Sequence, residues 1–426
     1  MHSHPQPHAT ATTSAPQAPH AHGTSHAPRS VAEHRQAVRE LLAPLAAGRS
    51  QRLPLAQALG RGLAETVTAP LSLPPFANSQ MDGFAIRSAD VPDAGAELRV
   101  VAPVPAGASP AALEPGTAAP IMTGAMVPAG ADAVVPVERA VPAAFPAPGE
   151  AATVWLPPAA AGTFIRDAGS DIEAGERALA ASTFLGPGQL GLLAALGLAD
   201  VLVHRPLTVL LVTTGDEVVE PGEPLADGKV YDANGTLLET ALRQAGLAVV
   251  RAGIATDNPA ELRSLLRSHT ASVDLIVTTG GVSKGAYEVV RQAMDGQDVA
   301  FQHVAMQPGG PQGLGMFDGV PLLGFPGNPV SCLVSFEMFL RPVLSGLFGS
   351  PAPRPAVRAR LAQPLTSPAG KHQVRRGNLL PDGTVRLEGG ESSHLVRALA
   401  QSNALVHVPD GVGALAEGAE VEVWML

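Results

Sequence analysis

The sequence predicts a multidomain α/β and β protein, with a central parallel α/β domain, β-rich domains before it and a small β-barrel at the C-terminus. Three observations predict this. From Arg205 to about Phe348 short apolar strands alternate with helical periods, the rhythm of a parallel sheet covered on both faces. From Gly83 to Leu156 short strands are separated by many Gly and Pro turns. After Ser350-Pro351-Ala352-Pro353 comes a run of short alternating strands. At 426 residues the chain is too long for one ordinary core. The expected division is a disordered His/Pro-rich tail (1–29), a helical and extended linking domain (30–55 with 157–205), a β-rich domain (56–156), the α/β domain (206–348) and a β domain (349–426).

In chain order, Met1–Arg29 lacks the apolar content to order itself and carries no signal-peptide pattern. Its histidines (His2, His4, His8, His20, His22, His26) could hold a transition metal loosely, against the plainer reading of a solvated tail. A helix is expected from Val31 to about Ala47, with Ser30 and Glu33 at capping-box spacing. Glu97–Ala102 and Ala133–Val137 read as strands, and 141–150 as a Pro/Ala-rich loop. Gly188–Leu198 reads as a helix too densely apolar for a surface, so it should pack between domains. The α/β strands are Thr208–Val212, Ala248–Ala252, Asp274–Thr278 and a later pair near Gly315–Phe317 and Pro321–Gly324. The helices are Asn234–Ala245, Pro259–His269, Tyr287–Met294 and Pro329–Leu347. The last region gives Ala356–Leu361, Thr384–Leu387, Ala404–Val408 and Glu420–Leu426, with a helical turn or two at His394–Ala400.

The formal net charge of −10 argues against nucleic-acid binding. No apolar run reads as long and uninterrupted enough to span a bilayer. Cys332 is the one cysteine, so no intrachain disulfide can form, and a reducing cytoplasmic setting is expected. It sits in an apolar helix and reads as core.

Two strand ends carry the functional signal. Thr208–Val212 runs into Thr213-Thr214-Gly215-Asp216-Glu217, and Val273–Val277 into Thr278-Thr279-Gly280-Gly281-Val282-Ser283-Lys284. In open α/β sheets ligands sit outside the carboxyl ends of strands. Asp216 and Glu217 side by side need a cation if buried, and Mg²⁺ shared with substrate phosphates meets that need. The amides of Gly280 and Gly281 and the Ser283 hydroxyl suit a phosphate. In Pro326-Gly327-Asn328-Pro329-Val330-Ser331 a helix opens with amides that either face an anion or are simply capped. Nearer the N-terminus, Asp82 lies in a turn before a strand, as ligand or turn-former. Thr123 and the Gly124 amide could hold an anionic oxygen, and Asp132 sets the turn into its strand. Arg166 beside Asp167 and Asp171 is either a surface salt bridge or a substrate clamp.

Together these segments resemble the molybdopterin molybdenumtransferase (MoeA) family, related to the gephyrin E domain. The resemblance runs from about Ser30 to Leu426. It rests on Phe76-Ala77-Asn78-Ser79-Gln80-Met81-Asp82-Gly83-Phe84-Ala85, Ile121-Met122-Thr123-Gly124, Pro128–Val135, Thr214-Gly215-Asp216-Glu217, Gly280-Gly281-Val282-Ser283 and Gly324–Ser331. It implies four domains, a homodimer, and the last step of molybdenum cofactor synthesis: adenylylated molybdopterin and molybdate give molybdenum cofactor and AMP, with Mg²⁺ assisting. It ties activity to Asp82, Thr123, Asp167, Glu217, Asp257 and Glu288, the last standing where the family usually has Asp. The substrate contacts expected with it are Thr214, Gly215, Asp216, Gly280, Gly281, Ser283, Lys284, Pro326, Asn328 and Ser331, and the metal contacts Asp82, Asp216 and Glu217. The upstream adenylyltransferase and the molybdoenzymes are the expected partners. Asp257, in Asp257-Asn258-Pro259, could instead be a plain helix cap.

One departure bears on the chemistry. Where the family usually has Lys-Pro-Gly-Lys-Pro, this chain reads Gln307-Pro308-Gly309-Gly310-Pro311. Lys284, or Arg375 and Arg376 from the last domain, could supply the missing charge. The alternatives to an insertase are a non-catalytic molybdopterin or molybdate binder and an adenylyltransferase.

Overall fold

The structure, a computed structural model, describes residues 27–147, 150–283 and 288–426. The tail histidines and Lys284 lie outside the described residues.

The first helix is Val31–Leu42, and its capping box forms: Glu33 N donates to Ser30 Oγ (3.2 Å) and Ser30 N to Glu33 Oε2 (2.8 Å). Its inner face belongs to the central domain. Val38 and Leu42 share a core with Val209 and Leu211, and His34 meets Phe339 edge-on at 4.5 Å. Strand Ser50–Pro54 pairs antiparallel with Asp200–His204. Between them in sequence a five-stranded sheet forms in the order Ala133–Pro136, Gly83–Ile86, Thr117–Ile121, Ala96–Val100, Thr153–Leu156. Helix Pro187–Ala195 buries only Leu193, within a core of Ala58, Leu63, Leu185, Val201 and Val203. That core joins Ala58 and Leu63 to Leu185, Val201 and Val203, and the helix's outward residues include Gly191, Ala194 and Ala195, which are cheap to expose.

The central sheet has six strands in the order Ala248–Ala255, Thr208–Thr214, Leu275–Thr279, Val320–Phe325, Pro311–Phe317, Asp298–His303. The first four run parallel, and Pro311–Phe317 runs against both its neighbours, so the sheet is mixed rather than wholly parallel. The reason is local: Asp318-Gly319 closes a tight hairpin, and a hairpin cannot join parallel strands. Alternate residues feed two cores. Val209, Leu211, Val277 and Leu323 face one, and Leu210, Val212, Ile276 and Leu322 the other.

The stretch Pro329–Phe348 corrects the expectation about apolar runs. By length and composition it could cross a membrane, yet 72% of its most apolar window is buried within the protein. It also carries Glu337, 1% exposed and bonded to Arg354 (2.7 and 3.0 Å). It is a core helix, interrupted by a π-helical segment at Phe336–Leu340.

The C-terminal strands close on themselves. The order is His372–Leu379, Thr384–Leu387, Ala356–Leu361, Glu420–Met425, Ala404–Val408, and the last pairs back with the first. A two-residue strand of the central domain, Met306–Gln307, adds to this barrel beside His372–Gln373. That junction sets the C-terminal domain against the carboxyl end of the central sheet.

Candidate functional site

A cavity of about 1100 Å³ opens at this junction. The two turns predicted from strand ends line it, with Thr214, Gly215 and Glu217 from one and Gly280, Gly281 and Ser283 from the other. Pro326, Asn328 and Ser331 line it from the helix start, and Asp257 and Glu288 complete the wall. The C-terminal domain contributes Lys371 and the loop Glu391–His394.

The sequence folds this way for steric reasons. At Gly215 φ is +135°, and a Cβ there would lie 2.7 Å from Glu217 Oε2, so the glutamate carboxylate folds back over a residue that must be glycine. At Gly280 φ is +96°, and a Cβ would meet Thr214 Oγ1 at 2.8 Å. The two turns therefore touch through the absence of a side chain. Asn234 locks them to the third loop: its Nδ2 donates to Thr279 Oγ1 (3.0 Å) and to the Gly327 carbonyl (2.6 Å).

Asp216 and Asp257 hold each other's loops. Asp257 N donates to Asp216 Oδ1 (2.9 Å) and Asp216 N to Asp257 Oδ2 (3.3 Å). The cap of helix Pro259–His269 is Asn258, whose Oδ1 accepts from Ala260 N and Glu261 N, so Asp257 is not spent on capping. Ser283 N donates to Glu288 Oε2 (3.2 Å). Asn328 makes no side-chain cap bond, and Val330 N donates to the Ser393 carbonyl of the C-terminal domain (3.0 Å).

Asp82, Thr123 and Asp167 are not among the cavity's lining residues. Asp82 and Thr123 meet each other on the β-rich domain, where Thr123 N and Oγ1 donate to Asp82 Oδ1 at 2.7 and 2.8 Å. The anionic oxygen that Thr123 holds is thus a protein carboxylate, while Gly124 N donates to the Ser79 carbonyl (2.8 Å). The backbone bond from Thr123, then its hydroxyl bond, keep the Asp82 carboxyl below the usual range. Arg166 bonds Asn78 Oδ1 (3.2 Å) rather than forming the salt bridge with its acidic neighbours. Asp132 takes Ser88 N (2.6 Å) and Ser88 Oγ (2.7 Å).

The metal set Asp82, Asp216 and Glu217 is accordingly not assembled. Among the described residues no group of three or more His, Cys, Asp or Glu side chains is placed to hold a metal ion. What the cavity does offer is hard oxygen donors from Glu217, Asp257 and Glu288. That suits Mg²⁺, which takes one or two protein carboxylates and completes its shell with phosphates and water.

Arg375 and Arg376 are buried and do not line the cavity. They act one layer behind it: Arg376 Nη2 bonds the Gly390 carbonyl, and Arg375 reaches the Gly389 carbonyl (3.4 Å) and Glu391 (3.9 Å). Gln307 Nε2 donates to Glu391 Oε2 (3.4 Å), and the His303 ring occupies the space that a side chain at Gly310 would need. The cation the last domain does present is Lys371, which sequence reasoning passed over along with Asn234, Tyr231 and His303. Asn234 reads only as the start of a helix. Cys332 is core as expected: burial pushes its thiol up to about 12, and Sγ bonds Thr279 Oγ1.

Comparisons with known proteins agree along the chain. Family models match over three stretches: the MoeA N-terminal region (domain I and II) at 29–197, a probable molybdopterin binding domain at 210–346, and the MoeA C-terminal region (domain IV) at 358–426. Molybdopterin molybdenumtransferase 2 of Mycobacterium tuberculosis is 44% identical over 93% of this chain and 100% of its own length. Molybdopterin molybdenumtransferase 1 of the same organism is 35% identical over 93% of this chain and 99% of its own. The crystal structure of the molybdopterin biosynthesis moeA protein from Pyrococcus horikoshii OT3 superimposes with a TM-score of 0.80 at 25% identity, covering 94% of this chain and 100% of that one. Fold, ordered motifs and full-length similarity coincide, and the chain belongs to the MoeA family of molybdopterin molybdenumtransferases.

Proposed function

We infer that this chain is a molybdopterin molybdenumtransferase, inserting molybdenum into molybdopterin. The observation that carries the reading is the junction cavity. Carboxylates from Glu217, Asp257 and Glu288 line it together with the Gly280–Ser283 turn and the helix opening at Asn328. Full-length relatives named as transferases favour catalysis over binding alone.

The finer reading takes adenylylated molybdopterin and molybdate as substrates and molybdenum cofactor and AMP as products. The Gly281 and Val282 amides and the Ser283 hydroxyl orient the phosphates, since Gly280 N is spent on the Phe325 carbonyl (3.1 Å) and Ser283 N on Glu288. Glu217 and Asp257 would hold Mg²⁺, with Asp216 fixing the Asp257 loop. Such an ion would supply the positive charge that a phosphoanhydride leaving group needs. Lys371 meets the oxyanion from the C-terminal side. Asp82, Thr123 and Asp167 enter from a second copy in a homodimer, which accounts for their place outside the cavity of their own chain. The setting is cytoplasmic, between the adenylyltransferase that supplies the substrate and the molybdoenzymes that receive the product. The purified protein with adenylylated molybdopterin, Mg²⁺ and molybdate should release AMP stoichiometrically with cofactor. Substrate bound without AMP release would leave a carrier instead.

A further inference from the structure

Among the described residues lining the cavity there is no Phe or Trp, and Tyr231 brings the one phenyl ring. It is 46% exposed, beside Val230 at 53%, and no ring partner occupies its face among the described residues. Large apolar side chains side by side on an open surface need a reason, and a cavity wall gives one.

The local structure holds this ring in place. Val230–Tyr231 pairs in parallel with Val218–Val219, the strand directly after Glu217. Val230 N donates to the Glu217 carbonyl (2.8 Å), and Asp232 N to the Val219 carbonyl (2.8 Å). Lys229 Nζ bonds the Asp216 carbonyl (2.5 Å), and Tyr231 Oη donates to the Glu223 carbonyl (3.1 Å). The hydroxyl is satisfied within the flap, and the aromatic face is what remains for a ligand. The flap is fastened to the carboxylate loop itself, so a group resting on Tyr231 shares a wall with Glu217.

We propose that Tyr231 is a stacking platform for a flat purine or pteridine ring of the substrate. This rests on the reading of the cavity as the substrate site. Both rings of an adenylylated pterin have the required shape and π-face, and the experiment separates them. Stacking is worth about 1–3 kcal/mol per base, or about 5- to 150-fold in affinity.

Calorimetric titration of the full chain with AMP, with ribose 5-phosphate and with pterin-6-carboxylate provides the test. Tyr231→Ala should weaken one of the ring ligands at least fivefold and leave ribose 5-phosphate within twofold. Loss for AMP alone assigns the platform to adenine, and loss for the pterin alone assigns it to the pteridine. Tyr231→Phe, which keeps the ring, should bind within threefold of wild type, and both variants should melt with the wild type because the side chain is exposed. Wild-type binding of a ring ligand with no change in Tyr231→Ala would overturn the platform and leave the functional reading standing. A wild-type protein that binds neither ring ligand would overturn both.

Discussion

Acid should loosen this protein well above the range where carboxylates titrate, because histidines are buried where its domains meet. His34 and His407 are 2% and 3% exposed. His372 Nε2 lies 3.1 Å from His407 Nδ1, and His407 packs on Trp424 with ring centroids 4.3 Å apart. Arg35 stands over the same tryptophan and donates to the Met338 carbonyl. Burial, then the nearby Arg29, lowers His34 to about 3; burial, then His372 and Arg35, lowers His407 to about 3. Both folded values lie below the unfolded one of 6.5, so the unfolded chain binds more protons between these limits. Stability from the neutral rings is complete above pH 6.5 and is lost as pH falls toward 3. By linkage, going from pH 7.5 to 5 costs about 2 kcal/mol per histidine, about 4 kcal/mol for the two. Asp and Glu contribute little in that window, since their unfolded values lie near 4. The assay is urea unfolding followed by Trp424 fluorescence in a Trp155→Phe background, which leaves a single tryptophan at the His407 contact. An unfolding free energy that changes by less than about 1 kcal/mol between the two pH values would refute the buried-neutral assignment.

Other outcomes follow from the same geometry. Asp82→Ala and Glu217→Ala proteins, each expected to be inactive alone, should recover about a quarter of wild-type AMP release when co-refolded, because the proposed two-fold dimer with composite sites would rebuild one intact site in half of the mixed molecules. Gly280→Ala should abolish AMP release and destabilise by about 1–3 kcal/mol, measured by denaturant midpoint, since its φ of +96° and the Thr214 contact leave no room for a methyl group. Cys332 should resist thiol reagents in the native protein and react only on denaturation, as followed by thiol titration, because it is buried and its thiol is held at about 12.

The legible parts of the sequence were those where local and tertiary demands agree. Helix Pro259–His269 and strands Ala356–Leu361, Thr384–Leu387 and Ala404–Val408 appear at the residues read from pattern alone. The two glycine-rich strand ends were legible because an apolar run into a flexible polar turn has few other uses in an α/β sheet. Strand His372–Leu379 was missed because Gln373, Arg375 and Arg376 are buried in it, which breaks the alternation that marks a strand. Arg375 and Arg376 fasten the loop that walls the cavity, so the misreading and the function share a cause. Lys371, Tyr231 and Glu391 were invisible for another reason: only the closure of the barrel on Met306–Gln307 and the flap pairing bring them to the cavity.

The charge of that cavity bears on how its substrate can bind at all. The described lining residues include Glu217, Asp232, Asp257, Glu288 and Glu391 against one lysine, Lys371. Arg251 neutralises Asp232 at 2.7 Å, and Arg375 approaches Glu391 at 3.9 Å. Gln307 and Gly310 add no charge, and the His303 ring fills the space beside Gly310. An incoming pyrophosphate therefore meets the Glu217 and Asp257 carboxylates, with Glu288 behind the Ser283 amide. Each pair of like charges about 6 Å apart costs about 3 kcal/mol at an effective dielectric near 20. Turn amides and one ammonium do not offset several such pairs, so on the proposed reading a divalent ion would serve binding as well as bond cleavage. Chelation should therefore weaken equilibrium binding of a non-hydrolysable pyrophosphate analogue at least tenfold, measured by calorimetry. Glu217→Gln should bind the same analogue more tightly than wild type in EDTA and more weakly in Mg²⁺. Affinity indifferent to Mg²⁺ would mean that cations outside the described residues carry the anion, and the carboxylates would then have to act on the reaction rather than on the grip.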